Sequence, residues 1–418
     1  MVFDDYPISD DILDNLHRMG FKKPTDIQFK SIPHVLNGKD LLAVAQTGTG
    51  KTAAFAIPVL HLLLTKFSRQ TEPGARCLVM APTHELALQL NEVFTSFAKK
   101  TGLVCMCIHG GVNQAPQIEM LEKGVHVLIA TPGRLFDLHS QGHLKLDKVN
   151  ILVLDEADHM LDLGFLKDIQ DLTERLPKRR QTLFFSATIN LKIKRLAYSL
   201  VENPIRIQIS PKNPVAKNIH HSVAFIEMDD KRFFLERVIN ENPDSKILVF
   251  VRTKIRAERV FKALARVEIE ALTIHSGKDQ DERSKVMKQF REGAVKILIA
   301  TDVSARGIDI PDVDFVINYD LPEQSENYVH RVGRTGRGKR KGQAVSFCSE
   351  IEKPTLVEIE SYLEQDVQVL ELSKTEYQET LDFAVEDETD WKALMRNAER
   401  EEEKKPKGKP KPKSKKKR

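Results

Sequence analysis

The stretch "LLAVAQTGTGKTAAF" (Leu41–Phe55) decides how the chain is read. A short apolar run, Leu41–Val44, gives way to a glycine-rich turn and then to a helix-compatible Ala/Phe pattern. Glycines let backbone N–H groups close around phosphate oxygens, and the start of a helix faces the charge. In such a loop Lys51 reaches the outer phosphates and the Thr52 hydroxyl can hold Mg²⁺. The usual pattern opens on Gly, whereas this one opens on Ala45, so the cradle is Ala45, Gln46, Thr47, Gly48, Thr49, Gly50, Lys51 and Thr52. A glycine loop without a ligand is the competing reading, and the strand–loop–helix context disfavours it.

Runs of the same kind recur outward from this one. They are "RCLVMAP", "VCMCIHG", "HVLIATP", "NILVLDEAD" and "TLFFSAT", then "KILVFVRT", "ALTIHSG", "KILIATD", "FVINYD" and "AVSFC". Short continuous apolar strands separated by helical patterns predict an α/β fold with parallel sheets covered by helices on both faces. Functional residues should then gather at the carboxyl ends of the strands. The series breaks near "IRIQISPKNPVAKNIHHSV", where Pro211 and Pro214 suggest a linker. The expected domains are 1–208 and 218–372, two copies of one sheet architecture, with 209–217 between them and a charged extension over 373–418.

Composition narrows the class. No apolar run reaches 18 residues, so no membrane span is expected. The acidic start "MVFDDYPISDD" does not look like a signal peptide. The four cysteines (Cys77, Cys105, Cys107 and Cys348) form no regular framework, and a reduced cytoplasmic setting fits them. Cys105, Cys107 and His109 share a strand face, but neighbours two apart on a strand are badly placed to wrap a tetrahedral zinc ion. The net charge of +4 hides an asymmetry. Lys404–Arg418 holds ten of the 64 Lys and Arg and no acid, leaving 54 bases against 60 acids in the first 403 residues. This Lys/Pro/Gly tail cannot bury apolar surface, is expected to be disordered, and suits tethering to a polyanion, most simply nucleic acid. A merely solubilising end is the alternative.

"ILVLDEADHML" sets Asp155 and Glu156 just past a buried strand. Beside Lys51 and Thr52 such a pair divides the work: Asp155 holds the metal and Glu156 positions and deprotonates water. An acidic helix N-terminus is the other reading. Far downstream, "HRVGRTGRGKRKG" (His330–Gly342) places Arg334 and Arg337 three apart among glycines, a spacing suited to gripping one anion.

Asp155-Glu156-Ala157-Asp158 spells the signature of the DEAD-box RNA helicases, and the chain resembles that family over about residues 3–345. "GFKKPTDIQ" (Gly20–Gln28) is similar to its adenine-recognition motif. "SAT" (Ser186–Thr188) is similar to the segment that couples hydrolysis to unwinding. "TDVSARGID" and "HRVGRTGR" are similar to its last two motifs, and "GGVNQAPQ", "TPGR" and "FVRT" to its RNA-contacting segments. "LVLDEADHMLDLGF" and the short basic extension look most like the bacterial RhlE-type branch.

The resemblance implies two tandem RecA-like domains with ATP and Mg²⁺ in the cleft between them. Gln28 would bond the adenine edge, Phe21 stack on it, and Lys23 and Thr25 assist. Asp309 would meet the ribose side. Arg334 and Arg337 would be arginine fingers reaching from the second domain, stabilising transition-state charge only in the closed cleft. Lys339, Arg340 and Lys341 fall outside that motif and would touch only phosphate backbone. Ser186, Thr188, Asp158 and His330 would couple the steps. RNA would contact Pro82, His84, Gly110, Gly111, Thr131, Gly133, Arg134, Arg252, Thr253, Thr301 and Asp302, through backbone rather than bases, since few aromatics interleave there.

The first RNA motif reads "PTHELA", with His84 where the family has Arg. Imidazole, with a reference pKa of about 6.5, would either grip more strongly on acidification or donate one neutral hydrogen bond. The expected activity is an RNA-stimulated ATPase that unwinds short duplexes or remodels RNA–protein complexes. An ATP-gated RNA clamp or annealing chaperone, and a DNA translocase, are the alternatives. Ribosome-related RNA or the RNA-degradation machinery would be the setting, and the protein would act as a monomer.

Overall fold

In the computed structural model the described residues are 1–46, 48–67, 73–209, 215, 218–302, 313–336 and 341–382, the side chain of Gln280 excepted. Thr47, Asp309, Arg337, Lys339, Arg340, both linker prolines and the basic tail lie outside them.

The described residues form two sheets, each with seven strands. The first holds β1 (Leu41–Ala45), β2 (Cys77–Met80), β3 (Cys105–Ile108), β4 (Val127–Ala130), β5 (Ile151–Leu154), β6 (Gln181–Ser186) and β7 (Ile205–Ile209). Its order is β3-β4-β2-β5-β6-β1-β7, with every pairing parallel. The second holds β8 (Ile219–Phe225), β9 (Ile247–Phe250), β10 (Leu272–Ile274), β11 (Ile297–Ala300), β12 (Phe315–Asn318), β13 (Gly342–Cys348) and β14 (Gln368–Val369). Its order is β10-β11-β9-β12-β13-β8-β14, again all parallel. Counted from the first strand of each domain, the two orders are the same.

Strand alternation builds two cores per sheet. Leu41, Ala43 and Ala45 face one layer of helices and Leu42 faces the other. The second sheet is likewise clad on both faces. Central strands such as "LLAVA" and "ILVL" are buried throughout, which is why they read as continuous apolar runs.

The stretch where the strand series is expected to break carries two strands, β7 and β8. β7 is an edge strand whose "IRIQI" alternates between core and solvent, so it lacks a continuous run. β14, at the other sheet's edge, is only two residues long. Helix starts follow local chemistry. Thr83 Oγ1 accepts from Leu86 N at the head of helix His84–Phe97. Thr25 and Gln28 form a capping box on helix Asp26–Leu36, as Asp279 and Glu282 do on Gln280–Glu292.

Because all strands run one way, their carboxyl ends form one edge in each domain. In the first, β3, β4 and β2 lead into Gly110–Gly111, Thr131–Arg134 and Pro82–Glu85, while β5, β6 and β1 lead into Asp155–Glu156, Ser186–Thr188 and the glycine loop. The residues expected at RNA and those expected at nucleotide therefore occupy opposite halves of one edge. β11 and β9, which lead into Thr301–Asp302 and Arg252–Thr253, hold the matching half in the second domain.

Candidate functional site

The glycine loop is built on backbone that other residues resist. Gly48 and Gly50 have φ of 80° and 93°, and Gly50 caps helix Lys51–Lys66 in the left-handed conformation. Thr49 Oγ1 donates to Gln46 O at 2.7 Å and closes the turn. Gln28, 2% exposed, ties the loop to the upstream motif: its Nε2 donates to Gly50 O at 3.1 Å, and its Oε1 accepts from Thr25 N at 2.9 Å. Phe21 stands edge-on to Phe97 (centroids 5.4 Å apart) and Phe3 (6.1 Å), and Lys23 is exposed.

Lys51 is 6% exposed, and among the described residues its Nζ has no hydrogen-bond partner. A buried ammonium without acceptors is costly, so the site is shaped for an anion. Two acids feel its charge. Burial pushes the Asp155 carboxyl up to about 6, against the pull of Lys51. Burial would also raise Glu156, but the hydrogen bond from His159 and the charges of Lys51, His159 and His330 hold it below the usual glutamate range. Glu156 adopts φ 51° and ψ 49°, a strained conformation for a side chain with a Cβ, where β5 turns into helix Ala157–Asp162. The buried Asp155 carboxyl, the partly buried Glu156 carboxyl and the half-buried Thr52 hydroxyl are the hard oxygen donors that Mg²⁺ prefers.

Asp158 links this acid motif to the next strand end. Its Oδ2 accepts from Ala187 N (3.1 Å), Thr188 N (2.9 Å) and Thr188 Oγ1 (3.1 Å). Ser186 Oγ donates to Thr188 O at 2.7 Å. Contacts also cross between the two sheets' domains. His330 acts electrostatically on Glu156, and Arg283 Nη2 lies 2.8 Å from Glu85 Oε1. Arg334 is buried, with Nε donating to His330 O at 3.3 Å.

The residues expected at RNA form a scaffold of their own. Arg134 donates to Gln117 Oε1 and Val112 O, both at 3.1 Å, joining the "TPGR" and "GGVN" loops. Thr131 and Pro82 are buried, Gly111 has φ 76°, and Gly133 is the second residue of helix Pro132–Ser140, with nothing near its absent side chain. The His84 ring lies 5.1 Å from that of His109 and against Gly110. Arg252 N donates to Asp320 Oδ2 at 3.0 Å, and Thr253 caps helix Lys254–Arg266. Thr301 is buried at the end of β11.

Sequence reasoning passed over the residues that fix these loops from behind. Arg331, 2% exposed, holds Asp302 with two bonds and also donates to Asn318 Oδ1 and Asp320 O. Asp302, expected at RNA, thus spends both carboxylate oxygens on Arg331. Lys231, fully buried, donates to Tyr319 O, Phe347 O and Glu352. An Arg beside the His330 motif was a usable signal, whereas Lys231 and Glu352 lie 121 residues apart with nothing in the sequence to join them.

Two sheets of one topology, a phosphate cradle on the first and His330 of the second acting on Glu156, define a two-domain P-loop ATPase. The family profiles "DEAD/DEAH box helicase" and "Helicase conserved C-terminal domain" match residues 25–196 and 230–339. The chain is 40% identical over 371 residues to the ATP-dependent RNA helicase RhlB of Shewanella amazonensis, covering 88% of this chain and 84% of that one. It is 38% identical over 375 residues to the ATP-dependent RNA helicase DbpA of Bacillus subtilis, covering 90% and 77%. The structure of S. cerevisiae Dbp5 bound to RNA and ADP-BeF3 superposes with a TM-score of 0.79 at 31% identity, over 92% of this chain and 98% of that one.

The chain belongs to the DEAD-box ATP-dependent RNA helicases, and its two sheets are tandem RecA-like domains. It is an RNA-dependent ATPase and helicase that binds ATP and RNA. Among the described residues no helix is long and apolar enough to cross a membrane.

Proposed function

We propose that ATP is hydrolysed between Lys51 of the first domain and Arg334 with Arg337 of the second. The observation that carries this reading is the buried Lys51 ammonium at a helix start, which has no hydrogen-bond partner among the described residues and whose charge acts on both Asp155 and Glu156. Lys51 and the N–H groups of Gly48–Thr52 would bind the phosphates, with Gln28 and Phe21 at the adenine. Thr52 and Asp155 would hold Mg²⁺, which neutralises phosphate charge when bound. Glu156, kept ionised by His159 and Lys51, accepts the proton of the attacking water. His330, acting on Glu156 from the other domain, makes that carboxylate sensitive to closure. Asp158 carries the change to Ser186–Thr188 and so toward RNA. RNA that bridges Pro82–Arg134 and Arg252–Thr301 favours the closed state, so RNA and ATP strengthen each other's binding.

The domain division proposed is 1–208, 209–217, 218–372 and 373–418. The protein would act as a cytoplasmic monomer on ribosome-related RNA or with the RNA-degradation machinery. The RhlE-like branch is the finer assignment supported by "LVLDEADHMLDLGF".

Glu156→Gln tests the reading. RNA-stimulated turnover should fall at least about a hundredfold while an ATP analogue still binds. Full turnover in that variant removes Glu156 from the chemistry.

A further inference from the structure

The two domains share one strand order, so their faces can be compared position by position. In the first, helix Asp26–Leu36 lies on β1 and β7 beside helix Lys51–Lys66, burying Ile27, Ile32 and Val35. Gln181, the first residue of β6, fastens its far end by donating to Val35 O (3.0 Å) and Lys39 O (2.8 Å).

The second domain repeats the seat without the helix. Gln343 in β13 pairs with Phe315 as Gln181 pairs with Ile151. Ser222 lies between Val345 and Gln368 as Leu41 lies between Leu183 and Ile205. Where helix Asp26–Leu36 would fall there is a groove of about 470 Å³, bounded by helix Lys231–Glu241 and β8, β13 and β14. Ala224, Phe234, Val238, Val345 and Leu370 line it, with Gln343 at one end. Leu370 is 45% exposed.

The chain itself arrives beside this groove. Residues 374–382 are helical. Tyr377 packs on Phe234 (centroids 4.9 Å), and Arg237 Nη1, on the groove wall, donates to Thr380 Oγ1 at 2.8 Å. The described residues end at Asp382, and 36 residues of the sequence follow. In their sequence Trp391, Leu394, Met395 and Ala398 fall at i, i+3, i+4 and i+7, the spacing of one apolar helix face. The seven residues Phe383–Thr389 reach about 23 Å when extended, more than the ~16 Å of an eleven-residue helix, so the groove is within reach of that face in either direction.

We infer that the groove is the docking site for this chain's own segment Asp390–Arg400, bound as an amphipathic helix with Trp391 inward. Gln343 donates to a carbonyl at its end, as Gln181 does to Val35. The basic tail is thereby anchored to the second domain, away from the nucleotide cleft.

Trp391 is the single tryptophan of the chain, so its fluorescence reads the site directly. In the full-length protein its emission should be blue-shifted and its quenching by acrylamide severalfold weaker than in Leu370→Glu. RNA-stimulated ATPase of that variant should equal wild type and so certify its fold; Val238→Lys replaces it if it does not. Water-like emission in the wild type overturns the inference. Protection unchanged by both groove variants overturns the groove as its cause. Protection that grows with protein concentration assigns the groove to a second copy of the chain and overturns docking within one chain.

Discussion

Arg331 and Asp302 form a two-point ion pair, Nε to Oδ1 at 2.6 Å and Nη2 to Oδ2 at 2.7 Å. It joins the end of β11 to helix Ser325–Val332, the element that carries His330 and leads into Arg334. The guanidinium also lies over the Phe250 ring, 5.0 Å from its centroid. The loops expected at RNA and at nucleotide in the second domain thus share one buried anchor. Lysine cannot reproduce the fork. Arg331→Lys should lower stability by about 3 kcal/mol, near the lower end of the range for breaking a buried pair, and reduce stimulation of ATPase by RNA. Denaturant unfolding checks the first effect, and an unshifted midpoint would reject the anchor.

How far the sequence revealed this arrangement depended on the kind of interaction. Leu41–Thr52 and Ile151–Asp158 were legible because their chemistry is local: a loop closing on phosphate, a strand ending in acids. The central strands were legible because burial on both faces leaves a continuous apolar run. β7 was missed because "IRIQI" buries one face only. Arg331, Lys231 and Glu352 were missed because their partners are distant in sequence and their polar character argues for the surface. Asp302 was expected at RNA because its position shows which loop it occupies, not where its carboxylate turns.

Asp158 makes three bonds through a single oxygen, so its loss is felt at one place. Asp158→Ala leaves Ala187 N and Thr188 N without their acceptor, an expected cost of about 1–3 kcal/mol. Because the bonds join the acid motif to Ser186–Thr188, unwinding should fall further than ATPase. Parallel assays of ATP turnover and displacement of a short RNA duplex would show this. Equal losses in both would mean the link does not transmit the hydrolysis step.

Gly50 and Gly48 separate two effects of adding a side chain to the loop. Both have positive φ, so alanine strains either, by about 1–2 kcal/mol. At Gly50 the added Cβ would also lie 2.5 Å from Gln28 Nε2 and 3.0 Å from Thr25 Oγ1, whereas at Gly48 nothing lies within 4 Å. Gly50→Ala should therefore weaken ATP-analogue binding at least about tenfold more than Gly48→Ala, an amount worth roughly 1.4 kcal/mol. Similar dissociation constants for the two would show that the Gln28–Gly50 contact does not shape the nucleotide site.

The Lys231–Glu352 pair gives the second domain a defined response to acid. Burial would raise the Glu352 carboxyl, but Lys231 and the hydrogen bonds from Ser349 outweigh it and hold the group below its ordinary value. Burial lowers Lys231 despite its acidic partners, yet the direction leaves the ammonium charged in acid. For a carboxyl whose folded pKa is depressed, the unfolded chain binds the proton more tightly. The stability it contributes is complete above the unfolded pKa of about 4.3 and is lost as pH falls through the lower folded value. Glu352→Gln keeps the shape and removes that titration. Its melting temperature should be lower than wild type at neutral pH, and the two should converge as pH falls below about 4. A constant gap between them from pH 7 to pH 3 would show that Glu352 supports β12 and β13 by packing and not by charge.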